Sequence, residues 1–295
     1  MKKNIFSFIL KSRHNSSRYV ILLFFVVCQI TLSNAQTVSG KWVRQIGGSD
    51  YEQGSSLTID NSGNIFLTGT FRSKTDFDPS IGIFTLTPVH YEDIFVSKFD
   101  SSGQFIWAKQ IGGIGSGNSV SIKVDQTGDV IVAGYFAGTV DFDPGTGVYN
   151  LTANNDLHNQ FVYYDVFVLK LNSTGNFIWA KSFGAGNHDY CHSMDIDQLG
   201  NIYTAGEFED SVDFNPGIGV FTIAAKITDV FVSKLDPSGD FIWARSMGSN
   251  QVDGAFAVNT PTAKGATILM EMDTLFNIYW QKRYGTATAV NVDGL

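Results

Sequence analysis

Trp107-Ala108-Lys109-Gln110-Ile111-Gly112-Gly113 is the stretch that decides the fold, because close copies of it begin at Trp42, Trp179, Trp243 and Trp280. All five tryptophans of the chain occupy this one position of a recurring unit. A large aromatic residue confined to one place in a repeating segment indicates a repeat array, whose fold is read one unit at a time. The intervals between tryptophans predict three long units followed by one shortened unit.

Each long unit contains four short segments in which apolar and polar residues alternate, separated by Gly, Asn, Asp and Ser. Such segments are typical of β-strands joined by tight turns. In the first unit, the stretch Arg72–Glu92 between the second and third strands is predicted to be a loop. Four strands joined mostly by hairpins can form one antiparallel sheet. The predicted strands of the first unit are Ser56–Asp60, Ile65–Phe71, Asp93–Phe99 and Phe105–Ile111, and the next two units repeat them.

The composition is also that of a β-sheet protein. The 295 residues include 30 Gly, 24 Phe and 11 Tyr. Aromatic residues favour strands, and glycine favours turns. We therefore predict an all-β fold.

The first 35 residues resemble an export signal. A basic segment precedes the apolar run Tyr19–Ile30, and Ser33-Asn34-Ala35 supplies the small residues that a signal peptidase requires. The apolar run is shorter than the ~20 residues that cross a bilayer as a helix, so we expect no membrane span in the mature chain. Residues 1–35 are predicted to be a signal peptide, and the protein is predicted to be secreted or displayed on the cell surface.

Charge and cysteine content restrict the classes of partner and of covalent cross-link. The formal net charge is −8, and the predicted signal peptide contributes no acidic residue. A negative chain repels phosphate groups, so no nucleic-acid partner is expected. Of the two cysteines, only Cys191 follows the predicted signal peptide, and the mature chain therefore has no intramolecular disulfide.

The sheet of one unit carries apolar residues on both of its faces, and one unit cannot bury both. Sheets placed side by side around an axis cover each other, which is the architecture of a β-propeller. The tryptophan of each fourth strand is then expected to pack against the next blade. We predict an incomplete propeller over residues 41–295, with three full blades plus partial ones. Its parts are an orphan fourth strand (41–48), blades at 49–113, 114–184 and 185–249, a shortened blade (250–285), and the start of a further blade (286–295).

The repeated segments resemble the SBBP-type bacterial β-propeller repeat family. The residues that carry the resemblance are "DNSGNIFLTGTF", "TDFDPSIGIFTL", "DIFVSKFDSSGQFIWAKQIGG" and their counterparts, which together cover roughly residues 41–249. The resemblance implies a propeller in an exported protein. It implies no catalytic residues, because the family shares no chemistry.

One acidic motif recurs once per unit, and two interpretations of it remain open. The motif is Asp-Phe-Asp/Asn-Pro followed by a glycine. Oxygen atoms two residues apart in a glycine-containing loop could hold Ca²⁺, which prefers six or more oxygen ligands. Alternatively, the acidic side chains cap a turn while the phenylalanine fills the edge of the blade. The candidate ligands are Asp76, Asp78, Asp141, Asp143, Asp213 and Asn215.

Two other groups of polar residues could in principle carry chemistry. His188 and His192 flank Cys191, but a segment that leads into a strand would hold the two rings apart, so we expect no zinc site. Asp195 and Asp197 lie on alternate positions of a first strand and have no repeated counterpart, so they are expected to line a central channel. No GxSxG elbow, phosphate-binding loop, dinucleotide fingerprint or HExxH motif occurs, and no enzymatic activity is expected.

The function favoured by the sequence is that of an exported binding or structural module with an unknown protein or glycan ligand. Two alternatives remain. The first is a polysaccharide hydrolase or lyase on a propeller scaffold, for which Asp195 and Asp197 are the local candidates. The second is a truncated, non-functional remnant of a longer propeller, suggested by the shortened fourth unit.

Overall fold

The computed structural model describes residues 42–154, 163–254, 257–258, 267–272 and 278–284. These residues all belong to one compact unit, Trp42–Leu295. They contain strands and turns and no helix. The predicted signal peptide (1–35) and the predicted start of a further blade (286–295) lie outside the described residues.

The described strands are numbered in chain order. In the first unit they are β1 (Glu52–Ile59), β2 (Ile65–Phe71), β3 (Thr75–Asp76), β4 (Thr85–Leu86), β5 (Asp93–Phe99) and β6 (Phe105–Gly113). In the second they are β7 (Ser116–Val124), β8 (Val130–Ala137), β9 (Thr139–Asp141), β10 (Asn150–Thr152), β11 (Asp165–Leu171) and β12 (Phe177–Phe183). In the third and fourth they are β13 (Tyr190–Ile196), β14 (Ile202–Asp213), β15 (Thr222–Leu235), β16 (Phe241–Met247), β17 (Thr267–Met272) and β18 (Ile278–Tyr284).

The strands form three antiparallel four-stranded blades, which confirms the predicted sheets. Blade 1 has the order β1-β2-β5-β6, blade 2 the order β7-β8-β11-β12, and blade 3 the order β13-β14-β15-β16. Within the part of the chain that the structure describes, no sheet closes on itself. Strands β17 and β18 pair with each other as a separate antiparallel hairpin. The fold is therefore an all-β arrangement of propeller blades, and it is incomplete.

The hairpin turns explain the recurring Asp-x-Ser/Thr-Gly segments. Asp60 accepts backbone N–H groups from Ser62 at 2.9 Å and from Asn64 at 2.8 Å, and Gly63 has a φ of 81°. Only glycine adopts that left-handed conformation without strain. The same arrangement recurs at Asp100, Asp125, Asn172, Asp197 and Asp236. These residues cap the tight turns between strands.

The predicted loop between second and third strands contains an additional two-stranded ribbon. In blade 1 it is formed by β3 and β4, and in the second unit by β9 and β10. In blade 3 the ribbon is continuous with the blade, because β14 and β15 pair along their whole length. The prediction of a plain loop was wrong, since strands of two or three residues carry too little alternation to be recognised.

Adjacent blades bury each other's faces, as the repeat pattern predicted. Successive residues of β8 point to opposite faces. Val130, Val132 and Phe136 pack into a cluster shared with blade 1, whereas Ile131 and Ala133 pack into a cluster shared with blade 3. A central blade is thus apolar on both sides because it has a neighbour on both sides.

A comparison of the first strands shows that burial depends on the preceding blade. Ile122 of blade 2 is 0% exposed and Met194 of blade 3 is 1% exposed. Leu57, which occupies the same position in blade 1, is 63% exposed, and its neighbour Ile59 is 59% exposed. The described structure contains no full blade before blade 1, and the apolar side chains of β1 on this face are left in water.

A serine in each first strand links that strand to the next unit. The hydroxyl of Ser56 accepts the N–H of Ile122 at 3.4 Å, and the hydroxyl of Ser121 donates to the carbonyl of Met194 at 3.1 Å. The hydroxyl of Ser193 donates to the carbonyl of Val258 at 3.3 Å. Val258 is 6% exposed and packs on blade 3. It therefore occupies, in the shortened fourth unit, the place that Met194 has in blade 3.

The tryptophans pack against the following unit, as predicted. Trp107 of β6 donates its indole N–H to the carbonyl of Ser173 at 3.4 Å and lies beside Gly175 in the same turn of blade 2. Trp179 lies beside Gly239 of blade 3 in the same way. Each of these glycines has a positive φ, so the turn that forms the hairpin also makes room for the indole.

The segment before blade 1 differs from the predicted orphan fourth strand at 41–48. Residues 42–48 form no strand, and one isolated bridge joins Gly47 to Asp76. Trp42 nevertheless packs beside Gly103, and Ile46 packs on the apolar cluster of blade 1. The described residues include no third strand with which this segment could pair. The segment therefore makes the side-chain contacts of a fourth strand but not its backbone hydrogen bonds.

Candidate functional site

The Asp-Phe-Asp/Asn-Pro motifs lie at the tips of the ribbons. The first carboxylate of each motif accepts hydrogen bonds from backbone N–H groups on both sides of the ribbon turn. Asp76 accepts N–H groups from Asp78 at 3.1 Å and from Phe84 at 2.9 Å. Asp141 does the same with Asp143 and Tyr149, and Asp213 with Asn215 and Phe221. The first aspartate therefore accepts two backbone N–H groups that the short ribbon leaves unpaired.

The second acidic position caps the same turn from its other side. Asp78 accepts the N–H of Ser80 at 2.9 Å, Asp143 accepts that of Gly145 at 2.8 Å, and Asn215 accepts that of Gly217 at 2.8 Å. An amide oxygen accepts this hydrogen bond as well as a carboxylate does, which explains why the motif tolerates asparagine. The phenylalanines between the two positions, Phe77, Phe142 and Phe214, are 0% exposed and fill the space between sheets.

The capping geometry supports the structural interpretation of these motifs, and calcium binding at Asp76, Asp78, Asp141, Asp143, Asp213 and Asn215 stays a prediction. One oxygen of each side chain already accepts backbone N–H groups. Within the described ranges, no group of three or more His, Cys, Asp or Glu side chains is placed to hold a metal ion. Ca²⁺ would need further oxygens from carbonyls or water to complete its coordination.

Removal of calcium should therefore leave the thermal stability unchanged. A site held at one hundred times its dissociation constant would add about 2.7 kcal/mol to the free energy of unfolding. We expect the melting temperature in excess chelator and in millimolar Ca²⁺ to agree within about 1 °C. Mg²⁺ at the same ionic strength is the control. A rise specific to Ca²⁺, abolished in the Asp141→Asn variant, would establish the alternative interpretation.

Asp195 and Asp197 both have structural partners. Asp195 is 6% exposed and forms an ion pair at 2.9 Å with Lys123 of blade 2, so it connects two first strands rather than lining a channel. Asp197 caps the turn after β13, where it accepts N–H groups from Leu199 and Asn201 at 2.9 Å each. Both carboxylates therefore take part in contacts that hold the blades and their turns together.

The segment His188–His192 is built as a strand face. His188 and His192 both stack on the ring of Tyr190, with centroid distances of 5.3 and 6.1 Å. The two imidazoles therefore lie on opposite sides of a phenol ring and do not converge. Cys191 points to the other face, is fully buried, and has its pKa raised to about 12 by burial. It acts as a small apolar filler of the core.

This stack belongs to a larger aromatic cluster at the junction of blades 2 and 3. Tyr135 lies near the end of β8, Tyr164 immediately precedes β11, and His188 lies two residues before β13, so a strand and two connections place their side chains at one edge of the sheets. Tyr135 meets Tyr164 and Tyr190 edge to face, at 5.3 and 4.9 Å. All the rings are partly exposed. We define the aromatic cluster as Tyr135, Tyr164, His188, Tyr190 and His192.

Acidic side chains border the aromatic cluster. Glu207 lies opposite Tyr190 in the ladder between β13 and β14 and lies 3.4 Å from His192. Burial, the neighbouring phenols, and the charges of Glu207 and Glu209 together raise the pKa of Tyr190 to about 12. The phenol rings of the cluster thus lie in a negative electrostatic field.

Two buried carboxyl groups lie directly beneath this surface. Asp165 follows Tyr164, is 1% exposed, and accepts the N–H of Asn154 at 3.0 Å. Asp189 is 0% exposed, accepts the N–H of Ala185 at 2.7 Å, and donates its own N–H to the carbonyl of Tyr164 at 2.7 Å. Burial raises the pKa of Asp165 to about 7 and that of Asp189 to about 8. The proximity of the two groups raises the pKa of Asp189 further.

The protein should consequently become less stable as the pH rises from 5 to 8. In the unfolded chain both acids titrate near their ordinary pKa of 3.8, so over this range the folded state holds more protons than the unfolded state. Each acid then lowers the free energy of unfolding by up to about 1.4 kcal/mol per pH unit. Urea unfolding at several pH values measures the slope.

The controls for this prediction are asparagine variants. Combining Asp165→Asn with Asp189→Asn should flatten the dependence, whereas Asp240→Asn, at an exposed position, should retain it. Turn carboxylates such as Asp60 and Asp100 have lowered pKa values and lose their stabilising effect only in more acidic solution. A free energy of unfolding that rises between pH 5 and 8 would contradict the assignment.

The aromatic cluster was not predicted from the sequence. Its members come from separate strands and loops of the chain, and the sequence pattern of each segment predicts only that strand or loop. A signal was nevertheless present, because these residues depart from the repeat. Tyr135 replaces Thr70 of blade 1 and Glu207 of blade 3, whereas Tyr164 replaces Glu92 and Thr228.

No helix in the described part of the chain is long and apolar enough to cross a bilayer.

Comparison with known proteins agrees with the repeat architecture. The model of the SBBP family, described as a beta-propeller repeat, matches residues 41–70 and 178–207. Both matches begin at a tryptophan segment and end within the second strand of the following unit. The chain is also similar to the uncharacterized WD repeat-containing protein L264 of Acanthamoeba polyphaga mimivirus, with 25% identity over 70% of this chain and 16% of that protein. The chain thus spans about a sixth of the length of this relative.

Proposed function

We propose that this chain, which contains β-propeller repeats of the SBBP type, is an exported scaffold that binds a macromolecular partner and catalyses no reaction. The blades serve as a rigid support, and the aromatic cluster at the junction of blades 2 and 3 is the recognition surface. Similarity to a WD repeat-containing protein supports a propeller scaffold for binding.

The observation that carries this proposal is the departure of the aromatic cluster from the repeat. Residues shared by all three blades are accounted for by the fold, because they cap turns, fill the core or make room for an indole. Tyr135, Tyr164 and Tyr190 have no such repeated role, and they remain partly exposed. Partly exposed tyrosines offer a large contact area at low entropic cost, which suits a binding surface.

The structural roles of the acidic residues support the absence of catalysis. Hydrolysis of a glycosidic bond needs two carboxyl groups facing one substrate. Asp195 and Asp197 are held by Lys123 and by a turn, and Asp165 and Asp189 are buried under the aromatic cluster.

The proposal of export is supported by the resemblance of residues 1–35 to a signal peptide. Mass spectrometry of the protein purified from the producing cell tests it, because cleavage after Ala35 would leave Gln36 as the first residue. Recovery of the intact N-terminus from the cytoplasmic fraction would refute export.

The binding role is tested by comparing two tyrosine variants for retention of their natural partner. Tyr164→Ala removes a ring from the aromatic cluster. Tyr149→Ala removes an exposed ring from the β9–β10 ribbon of the same unit, outside the cluster. Circular dichroism and the melting temperature establish that both variants are folded. We expect chemical cross-linking on the cell surface to lose its partner in the first variant alone, and equal loss in both would refute the proposal.

A further inference from the structure

We infer that the aromatic cluster binds a cationic side chain, arginine or lysine, presented by a partner protein. This inference rests on the proposed function, since it specifies the ligand of the same surface. It is carried by a comparison of blade 1 with the junction of blades 2 and 3.

Blade 1 supplies its own cation at this edge. The guanidinium of Arg72 lies 4.7 Å from the ring centre of Tyr51 and 4.7 Å from that of Tyr91, and it forms an ion pair with Glu92. Both rings are exposed, at 44% and 62%. Two phenol rings and one carboxylate thus hold one guanidinium at the surface, which is a favourable combination of cation–π and ionic attraction.

The junction of blades 2 and 3 also has partly exposed tyrosine rings and carboxylates, but no lysine or arginine occupies the position that Arg72 has in blade 1. The basic group of the cluster is His192, whose Nε2 atom lies 3.4 Å from Glu207. Phe71, Phe136 and Phe208 occupy the same position in their blades, and the residue after each is Arg72, Ala137 and Glu209, respectively. A small residue in blade 2 and an acid in blade 3 therefore replace the arginine. Three tyrosines of the aromatic cluster lie at the same junction. Among the described residues, no lysine or arginine forms an ion pair with Glu207 or Glu209.

The electrostatics favour a cation over a neutral ligand. The charges of Glu207 and Glu209 act on Tyr190. The field of a chain with a net charge of −8 adds long-range attraction for a basic partner. A guanidinium placed over a phenol ring gains from the negative face of that ring, in the geometry that Arg72 already shows. A neutral sugar could stack on the same rings but would gain nothing from these charges.

Fluorescence anisotropy with two synthetic peptides tests the inference. The first peptide alternates arginine with glycine, and the second carries citrulline in place of arginine, which keeps the shape of the side chain and removes its charge. We expect the arginine peptide to bind at least about tenfold more tightly than the citrulline peptide to the full chain at low salt. The affinity should fall as salt is added.

Variants locate the binding to the cluster. Glu207→Gln and Tyr164→Ala should each weaken binding of the arginine peptide about tenfold or more. Asp240→Asn, an equal change of charge at an exposed site elsewhere, should change it by less than about twofold. Equal effects of Glu207→Gln and Asp240→Asn would mean that the peptide senses only the overall charge, and would overturn the inference.

A glycan array separates this inference from the proposed function. Binding of a neutral glycan that is lost in Tyr164→Ala, combined with equal affinity for the two peptides, would overturn the cationic ligand and keep the recognition surface. Failure of Tyr164→Ala to alter the binding of any peptide, glycan or natural partner would overturn both.

Discussion

Replacing Phe142 by alanine is expected to lower the free energy of unfolding by about 3–5 kcal/mol. The ring is 0% exposed and lies 5.3 Å from Phe136 and 5.0 Å from Phe167, centre to centre. These three rings belong to the cluster that blade 1 shares with blade 2. Close packing prevents the surrounding strands from closing over the cavity, so the variant loses the buried ring area and the contacts of its neighbours.

Urea unfolding followed by tryptophan fluorescence measures the effect. Ile218→Ala is the matched control, since it shortens an apolar residue that is 107% exposed beside the third copy of the same motif, and it should change the stability by less than about 0.5 kcal/mol. Blades can unfold one at a time in repeat proteins, so a calorimetric trace should accompany the titration. A loss under about 1 kcal/mol in Phe142→Ala would show that the phenylalanine does not fill the space between the blades.

The second large effect is expected at Gly134, where an alanine methyl group cannot be accommodated. A Cβ atom at this position would lie 2.0 Å from the backbone oxygen of Asn118. The cause is a bulge, because the register between β7 and β8 shifts between Ser119 and Ser121. Backbone cannot move aside as a flexible side chain would. We expect Gly134→Ala to cost about 3 kcal/mol or more, at the upper end for overpacking.

Gly186→Ala provides a clean comparison for this second effect. A Cβ atom there would meet nothing within 4 Å. That substitution should leave the protein unchanged or stabilise it by up to about 1 kcal/mol, because alanine restricts the unfolded chain. Thermal melts of the two variants would test the contrast, and similar melting temperatures would contradict it. Gly69 and Gly206 lie opposite equivalent bulges, and their alanine variants should behave like Gly134→Ala.

The strands of the three blades could be predicted within a few residues because two independent signals agreed. Alternation of apolar and polar residues identified segments such as Asp93–Phe99, and Asp-x-Ser/Thr-Gly turns marked their ends. The burial of each sheet by its neighbours followed from the presence of apolar residues on both faces. The bulges opposite Gly69, Gly134 and Gly206 could not be predicted, since a bulge is a property of pairing between two strands and leaves little trace in either one.

The ribbons and the segment 42–48 were predicted less well for a related reason. Whether a segment counts as a strand depends on a partner at hydrogen-bonding distance. Thr75–Asp76 finds such a partner across its own turn, while residues 42–48 find only the bridge from Gly47 to Asp76. Sequence repetition identified the corresponding segments in other units. It could not show whether a pairing partner lies within hydrogen-bonding distance.

The candidate site was the least predictable part of the molecule. Single motifs predicted roles for His188, His192 and the repeated acids, whereas the surface that the structure assembles depends mainly on tyrosines from β8, from β13 and from the connection before β11. A position-by-position comparison of the three units would have identified Tyr135 and Tyr164 as exceptions. It could not have shown that they meet Tyr190 at about 5 Å.

The serine hydroxyls that join successive first strands have a consequence for how such a chain could be lengthened. Ser56, Ser121 and Ser193 each reach the backbone of one corresponding residue in the unit ahead, so this contact recurs at each of the three seams. Suppose that a duplicate of residues 114–184 were inserted after the unit that contains Ser193. Its copy of Ser121 could bond to the backbone of the following unit, and its own backbone could bond to Ser193 of the preceding unit. Growth by tandem duplication would therefore preserve this hydrogen bond at each new seam.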